Sequence, residues 1–260
     1  MKYILHADDF GLDKDTVEST IECFEKGYIN SASIIANGSA TDLAIQYAKT
    51  HPNYSFGIHL NYIDGFAPLS EASKIESLVD SDGKFFDTHV LLKLMLLMRL
   101  KYDHIKKETN AQISKIVDSG IKVSHIDSHG NIHKLPLFQD VLVDVISTFG
   151  INKVRLTQNI FLSESKEKTI LKLLNSYFNI LMSKRFHSTN YLYMPAHNFD
   201  VNWSNNIIKK MQYLPKETTL EIAVHPGKKE HYRTFEYNDI ATFAINIPKE
   251  HNMITWNDII

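Results

Sequence analysis

Short β-rich runs alternate with longer helical patterns along the whole chain, and no other feature constrains its fold as strongly. Runs rich in β-branched and aromatic residues fall at 2–7, 31–36, 55–60, 122–128, 153–157, 190–194, 219–225 and 252–256. Between them, apolar residues recur at helical spacing over 14–26, 40–50, 88–118 (long enough for two helices), 136–148, 164–185, 203–213 and 236–246. Strand, helix, strand implies parallel pairing through crossovers. Seven or eight such units predict an α/β fold: a single-domain, distorted (β/α) TIM-like barrel with mostly parallel strands. An open doubly wound sheet is the alternative. No repeat, low-complexity tract or linker interrupts residues 1–260, which read as one domain. The segment from Tyr62 to about Thr88 breaks the rhythm. It contains Gly65, Pro68 and Asp82-Gly83, with a short helix expected near 70–79, and connections this long are often functional.

Composition excludes several function classes. Hydrophobic residues make up 43% and charged residues 22% of the 260, a globular balance rather than a disordered or fibrous one. A formal charge of −2 lacks the basic stripe of a nucleic-acid binder. Cys23 is the single cysteine, so neither an intrachain disulfide nor a cysteine zinc cluster can form. At the N-terminus only Tyr3-Ile4-Leu5 precede His6, Asp8 and Asp9, too short for the apolar region of a secretory leader. Val90 to Leu100, broken by Lys93 and Arg99, is too short for a membrane span and reads as a buried helix. The expectation is a cytoplasmic protein without nucleic-acid or membrane partners; a homo-oligomer is compatible with the sequence.

Side chains alternate across a strand. Phe56, Ile58 and Leu60 therefore oppose Ser55, Gly57, His59 and Asn61, and Leu220, Ile222 and Val224 oppose Thr219, Glu221, Ala223 and His225. Asp127 and His129 share a face with Val123 and His125, while Arg155 opposes Val154 and Leu156. An antiparallel sheet with one wet face would also alternate, but it needs no helical spacers. A parallel barrel carrying polar residues at the C-terminal ends of its strands explains both features, since barrel active sites lie there. Asp8-Asp9, His59, Asp127-x-His129 and His225 occupy those ends, and Gly11, Gly57, Gly130 and Gly227 each fall within two residues of one of these groups.

These residue types suit metal-assisted chemistry. One of the adjacent carboxylates Asp8 and Asp9 could ligate a metal while the other serves as a base. Histidine is the commonest metal ligand, and His59 lies on the polar face of its strand. The densest cluster is His125-Ile126-Asp127-Ser128-His129-Gly130-Asn131-Ile132-His133, in which His129 is the leading ligand candidate and His133 a ligand or a substrate contact. A carboxylate and two histidines from separate strands leave coordination positions open and can bind zinc, iron, manganese, nickel or cobalt. His225, before Pro226-Gly227, is placed to act as a general acid.

Taken in order, Ala7-Asp8-Asp9-Phe10-Gly11, Gly57-Ile58-His59-Leu60-Asn61, His125-Ile126-Asp127-Ser128-His129, Val154-Arg155 and His225-Pro226-Gly227 resemble the motifs of the YdjC-like carbohydrate deacetylases, which include chitooligosaccharide deacetylases. Gly65 to Leu69, Asp82 to Phe85 and the Arg233-x-x-Glu236 pair resemble further segments of that family. The resemblance implies a distorted (β/α) barrel that removes N-acetyl groups from amino sugars or oligosaccharides with one divalent ion. It implies Asp9, His59 and His129 as metal ligands, Asp8 as general base and His225 as general acid. Asp127 would orient a ligand histidine from behind. Asn61, His133, Arg155 and Glu221 are expected as substrate contacts. Family resemblance suggests Mg²⁺, whereas two imidazoles suit Zn²⁺ or another transition metal better. The chain departs from the family at Gly130-Asn131, where Gln-His or His-His is usual. Two rival readings are a non-catalytic saccharide-binding relative and a non-haem iron oxygenase using the same two-histidine, one-carboxylate set.

Overall fold

A computed structural model describes residues 1–162, 166–195 and 202–260. Among the described residues, seven strands form one parallel sheet: β1 (Lys2–Phe10), β2 (Ser31–Ile35), β3 (Ser55–Leu60), β4 (Val123–Ser128), β5 (Tyr191–Tyr193), β6 (Thr219–Val224) and β7 (Asn252–Met253). Their order is β4-β3-β2-β1-β6-β5, with β7 also beside β1. Single parallel bridges, Ile126 to Val154 and Lys153 to His187, carry the pairing on from β4 towards β5. The sheet thus curls into a distorted barrel rather than an open doubly wound sheet. The helices are α1 (Lys14–Glu25), α2 (Thr41–Thr50), α3 (Thr88–Leu96), α4 (Tyr102–Val117), α5 (Pro136–Ile146), α6 (Lys166–Ser183), α7 (Trp203–Met211) and α8 (His231–Asn246). Among the described residues, no helix is long and apolar enough to cross a membrane.

Local chemistry explains the element boundaries. Asp13 caps α1 by accepting from the Thr16 N–H, and the Thr16 hydroxyl in return accepts from the Asp13 N–H, so an orphan amide is satisfied at each end of the box. Pro136 opens α5, where a missing N–H costs nothing. Outward-facing strand residues such as Leu5, Ile58, Leu60, Leu220 and Ile222 join the main apolar core between sheet and helices. Ile4, Trp256 and Ile259 form a separate apolar cluster associated with the start of β1.

Several expectations need correction. The run 153–157 is no regular strand: after Val154 the Thr157 N–H turns to the Asn179 side chain on α6 instead of to a strand. Helix α8 begins five residues before the expected 236, and residues 164–165 of the expected helix 164–185 lie outside the described residues. Val90 to Leu100 is not a buried helix: in α3 only Leu91 is buried, and Leu96, Leu97 and Met98 are exposed. Val123 does not share a face with His125. A register shift pairs Val123 with Phe56 but Ile126 with Ile58, so β4 carries one extra residue and His125 turns inward.

That inward turn leaves no room for a side chain on β3. A Cβ at Gly57 would lie 2.4 Å from His125 Cε1, and the His125 ring is stacked on Trp256 with centroids 4.3 Å apart. Gly57→Ala should therefore destabilise the fold by about 1–3 kcal/mol through overpacking. Gly120→Ala, where the added carbon meets nothing within 4 Å, serves as the comparison, with only the cost of its left-handed backbone to bear. Urea unfolding of both variants checks this; equal losses would mean that the ring yields freely.

Candidate active site

The C-terminal end of β1 presents two adjacent carboxylates to one mouth, which a regular strand cannot do. Asp9 adopts φ 60°, and the β1–β2 register shifts between Ala7 and Phe10. Left-handed backbone costs most residues roughly 1–2 kcal/mol, but Asp tolerates it better because its short side chain can bond locally. With the alternation broken there, Asp8 faces Arg155 and Asp9 faces His59 and His129.

Asp9, His59 and His129 converge. Asp9 Oδ1 lies 3.1 Å from His59 Nε2 and 2.9 Å from His129 Nδ1, and the donor atoms of the three lie within 4.8 Å of one another. His59 Nδ1 is 2.8 Å from Asp127 Oδ1, which points Nε2 at the cluster. Asp127 is steadied in turn by the Ser33 hydroxyl, 2.9 Å from its Oδ2. Burial alone would lower the His59 pKa, but the carboxylates of Asp127 and Asp9 raise it to about 10. Burial likewise opposes, and Asp9 and Asp64 outweigh it, in raising His129 to about 9. One carboxylate and two imidazoles, held by surrounding groups around a common point, fit a divalent ion.

Two further acid–histidine groupings lie deeper in the barrel, His6-Asp8-Asp127 and His6-His125-Glu221. There a protein cation is already present. Arg155 is fully buried and donates to Asp8 through two N–H groups at 2.8 and 2.7 Å, approaches Asp127 at 2.8 Å, and donates to Glu221 at 3.0 and 2.8 Å. Three carboxylates share one guanidinium. Burial, partly opposed by Arg155, pushes Glu221 up to about 7.

At the far side of the mouth stands His225. Its Nδ1 lies 3.1 Å from Glu236 Oε2, and its Nε2 lies 3.7 Å from Asp8 Oδ2. Burial would lower its pKa, yet the Glu236 carboxylate, followed by Asp8 and Asp9, holds it above the ordinary value. Arg233, one helical turn before Glu236 on α8, donates to Asp9 Oδ2 at 2.7 Å. The long excursion after β3 brings Asp64 within 3.6 Å of His129 Nε2. Buried Glu108 on α4 pins that excursion by accepting from the Leu69 and Ser70 amides at 3.0 and 2.8 Å.

The four expected substrate contacts are all buried and bonded to groups of the protein. Arg155 and Glu221 are wholly buried beneath the mouth, each engaged as described. His133 is buried with Nδ1 2.7 Å from the Ser128 hydroxyl, and its Nε2 donates to the Arg155 carbonyl at 3.0 Å. Asn61 is buried, with its side-chain oxygen accepting from the Ile63 amide at 3.0 Å. Each is engaged with the protein's own groups, because strand parity tells inside from outside but not which side chains are already partnered. Conversely, Asp64, Ser33 and His6 had no assigned role. For Arg233 and Glu236, the Arg-x-x-Glu spacing, two charged residues on one helix face, was the available signal. At the departure Gly130-Asn131, both residues are left-handed (φ 60° and 55°), and a Cβ at Gly130 would lie 2.7 Å from Ile63 Cδ1. Glycine is therefore needed there for both space and conformation.

A model of the YdjC-like protein family matches residues 2–257. A carbohydrate deacetylase of Listeria monocytogenes serotype 4a (strain HCC23) is 34% identical over 152 residues, 58% of this chain and 60% of that protein. The match thus spans about three fifths of that curated relative. A carbohydrate deacetylase of Thermoanaerobacter pseudethanolicus (strain ATCC 33223 / 39E) is 28% identical over 100% of this chain and 93% of its own length. Among solved structures, a "putative cellobiose-phosphate cleavage protein" from Enterococcus faecalis V583 has a TM-score of 0.79 at 19% identity, covering 98% of this chain and 97% of that one. That likeness establishes the shared fold.

The Glu221 environment generates a pH prediction. Its folded pKa of about 7 stands above the ordinary 4.5, so the folded state holds this proton more tightly. The stability so gained is complete below the unfolded value and is lost as pH rises towards 7. Glu221→Gln removes that loss, so the stability difference between variant and wild type should move by about 1–3 kcal/mol in the variant's favour between pH 5 and pH 8. Urea unfolding at both pH values measures it; a constant difference would show that Glu221 stays ionised throughout.

Proposed function

The chain belongs to the YdjC-like protein family, and from that premise we propose that it is a metal-dependent carbohydrate deacetylase, a hydrolase that removes N-acetyl groups from an amino sugar or oligosaccharide, with residues 1–260 acting as one catalytic domain. The observation that carries this reading is the meeting at one barrel mouth of Asp9, His59 and His129 with Asp8 and His225, whose facing atoms are 3.7 Å apart. The relatives named carbohydrate deacetylase support the substrate class.

Asp9, His59 and His129 would hold the divalent ion, with zinc or another transition metal favoured by the imidazoles. Bound there, such an ion would polarise the acetamide carbonyl and acidify water. Asp8 is the general base that takes the proton of the attacking water. Arg155 fixes its carboxylate plane through paired N–H donors, an arrangement that gives orientation as well as energy. His225 is the general acid. Glu236 binds its Nδ1 and favours the protonated ring, leaving Nε2 to deliver a proton to the departing amine. Arg233 and Asp127 act as positioning residues, the first on Asp9 and the second on His59.

Acetate release from N-acetylated mono- and oligosaccharides, screened across divalent ions, tests the activity. Saccharide binding without acetate release would favour a non-catalytic role. His59→Ala should lose both metal and turnover while still folding, read by elemental analysis; full metal content in that variant would remove His59 from the ligand set. Asp8→Asn should keep the metal and lose most turnover, whereas Asp9→Asn should weaken metal binding first, and the reverse pattern would exchange their roles.

His225→Ala supplies a sharper check on the chemistry. An amine departs poorly unless protonated, while an aryl acetate needs little help. The variant should lose about 10²–10⁴-fold on an N-acetyl sugar and far less on an aryl acetate. Equal losses on the two substrates would make His225 a shaping residue rather than the acid.

A further inference from the structure

The two histidines beside Asp9 are set into the mouth in opposite senses. His59 turns Nε2 to Asp9 at 3.1 Å and Nδ1 to Asp127 at 2.8 Å. His129 turns Nδ1 to Asp9 at 2.9 Å, and its Nε2 faces Asp64 at 3.6 Å. Each ring thus has Asp9 on one nitrogen and a second carboxylate on the other. Asp127 supports His59 from behind, and Asp64 occupies the equivalent place behind His129. Support matters more on that side, because the His129 side chain is 23% exposed against 2% for His59.

Asp64 is held in place by both its backbone and its side chain. Asp64 and Gly65 are left-handed (φ 60° and 74°), and their amides donate to the Phe86 and Phe85 carbonyls at 3.0 and 3.1 Å. Asp64 Oδ1 accepts from the Thr88 amide at 3.3 Å and from its hydroxyl at 3.2 Å. Thr88 opens α3, and Asp87 before it makes no side-chain capping bond. Asp64 therefore satisfies an orphan amide of that helix from the other end of the excursion. With Oδ1 engaged there, Oδ2 is the oxygen that faces His129. Phe66, two residues on, meets the His129 ring edge-on with centroids 6.2 Å apart. At 3.6 Å the carboxylate stands at ion-pair rather than hydrogen-bond range. It still favours an N–H on the nitrogen it faces, and the hydrogen bond or charge at one imidazole nitrogen decides which nitrogen is free to ligate.

We propose that Asp64 is a positioning residue for the ion site, keeping the proton of the neutral His129 ring on Nε2 and so presenting the Nδ1 lone pair, beside Asp9, to a divalent ion. This role rests on the metal-dependent reading of Asp9, His59 and His129. It makes the excursion after β3 part of the ion site, anchored to α3 at Thr88 and to α4 through Glu108.

Competition of the full chain with a chromophoric chelator for Zn²⁺ tests the role. Asp64→Asn keeps an oxygen for Thr88 but loses the carboxylate, and should bind Zn²⁺ about 10–100-fold more weakly. Its urea midpoint without metal should match wild type, and the visible spectrum of its Co²⁺ form should differ from that of wild type. Asp64→Glu, which keeps a carboxylate, should bind more tightly than Asp64→Asn. Asp82→Asn removes a charge from an exposed turn of the same excursion and should bind as wild type does. Unchanged Zn²⁺ affinity in Asp64→Asn would overturn the assignment. So would equal weakening in the Asn and Glu variants, or a weakening matched by a lower metal-free urea midpoint, either of which would leave Asp64 a structural cap alone. Wild type that takes up no Zn²⁺ would overturn both this role and the metal-dependent reading. Wild type that binds Zn²⁺ but releases no acetate would remove only the deacetylase reading, since affinity decides the role of Asp64 by itself.

Discussion

A single buried guanidinium holds the inside of this barrel together. Arg155 bonds Asp8, approaches Asp127 and bonds Glu221, and each of those carboxylates meets another element: Asp127 holds His59 on β3, Asp8 faces His225 after β6, and Glu221 accepts from the Trp256 indole. Removing one partner from a buried charge network typically costs about 3–5 kcal/mol, because the remaining charges are left without compensation. Four segments distant in sequence thus depend on one side chain whose place in the fold is set by two lone bridges, not by a full strand.

The polar column beneath the mouth continues downward through His6, whose ring nitrogens meet the Ser31 and Ser33 hydroxyls at 2.8 and 3.1 Å. Serines on β2 suit this role, as small hydroxyls can donate or accept as each tautomer requires. His125 and Trp256 stack below, where the column gives way to apolar contacts. The carboxylates and imidazoles at the top are therefore oriented by a chain of bonds that runs through the barrel, with Asp127 and Arg155 as the links between its levels.

The mouth owes its composition to departures from regularity. The left-handed Asp9 turns a second carboxylate inward, the extra residue in β4 turns His125 inward, and Gly130-Asn131 reverses the chain just after His129. The excursion after β3 adds Asp64 because Glu108 fastens its backbone to α4. Strain and bulges of this kind concentrate where function needs side chains that ideal strands would point elsewhere.

The alternation of strand and helix, and with it the parallel barrel, could be read from the residues alone, because hydrophobic periodicity is a local property that survives without knowledge of neighbours. So could the group Asp8, Asp9, His59, His129 and His225, since polar chemistry at the ends of otherwise apolar strands contradicts simple burial. Depth could not. Glu221 has the right parity for a site, yet it pairs with Ile4 near the start of β1 and lies buried under the mouth, and only the curl of the sheet decides how far along the barrel each side chain reaches. The extra residue in β4 was equally invisible, since a bulge is fixed by the register between two strands and not by either sequence. Pairings such as Arg233 with Asp9 and Glu236 with His225 join residues 224 and 11 positions apart. The residue types were visible in the chain, but their partners were chosen by the closure that brings α8 over the end of β1.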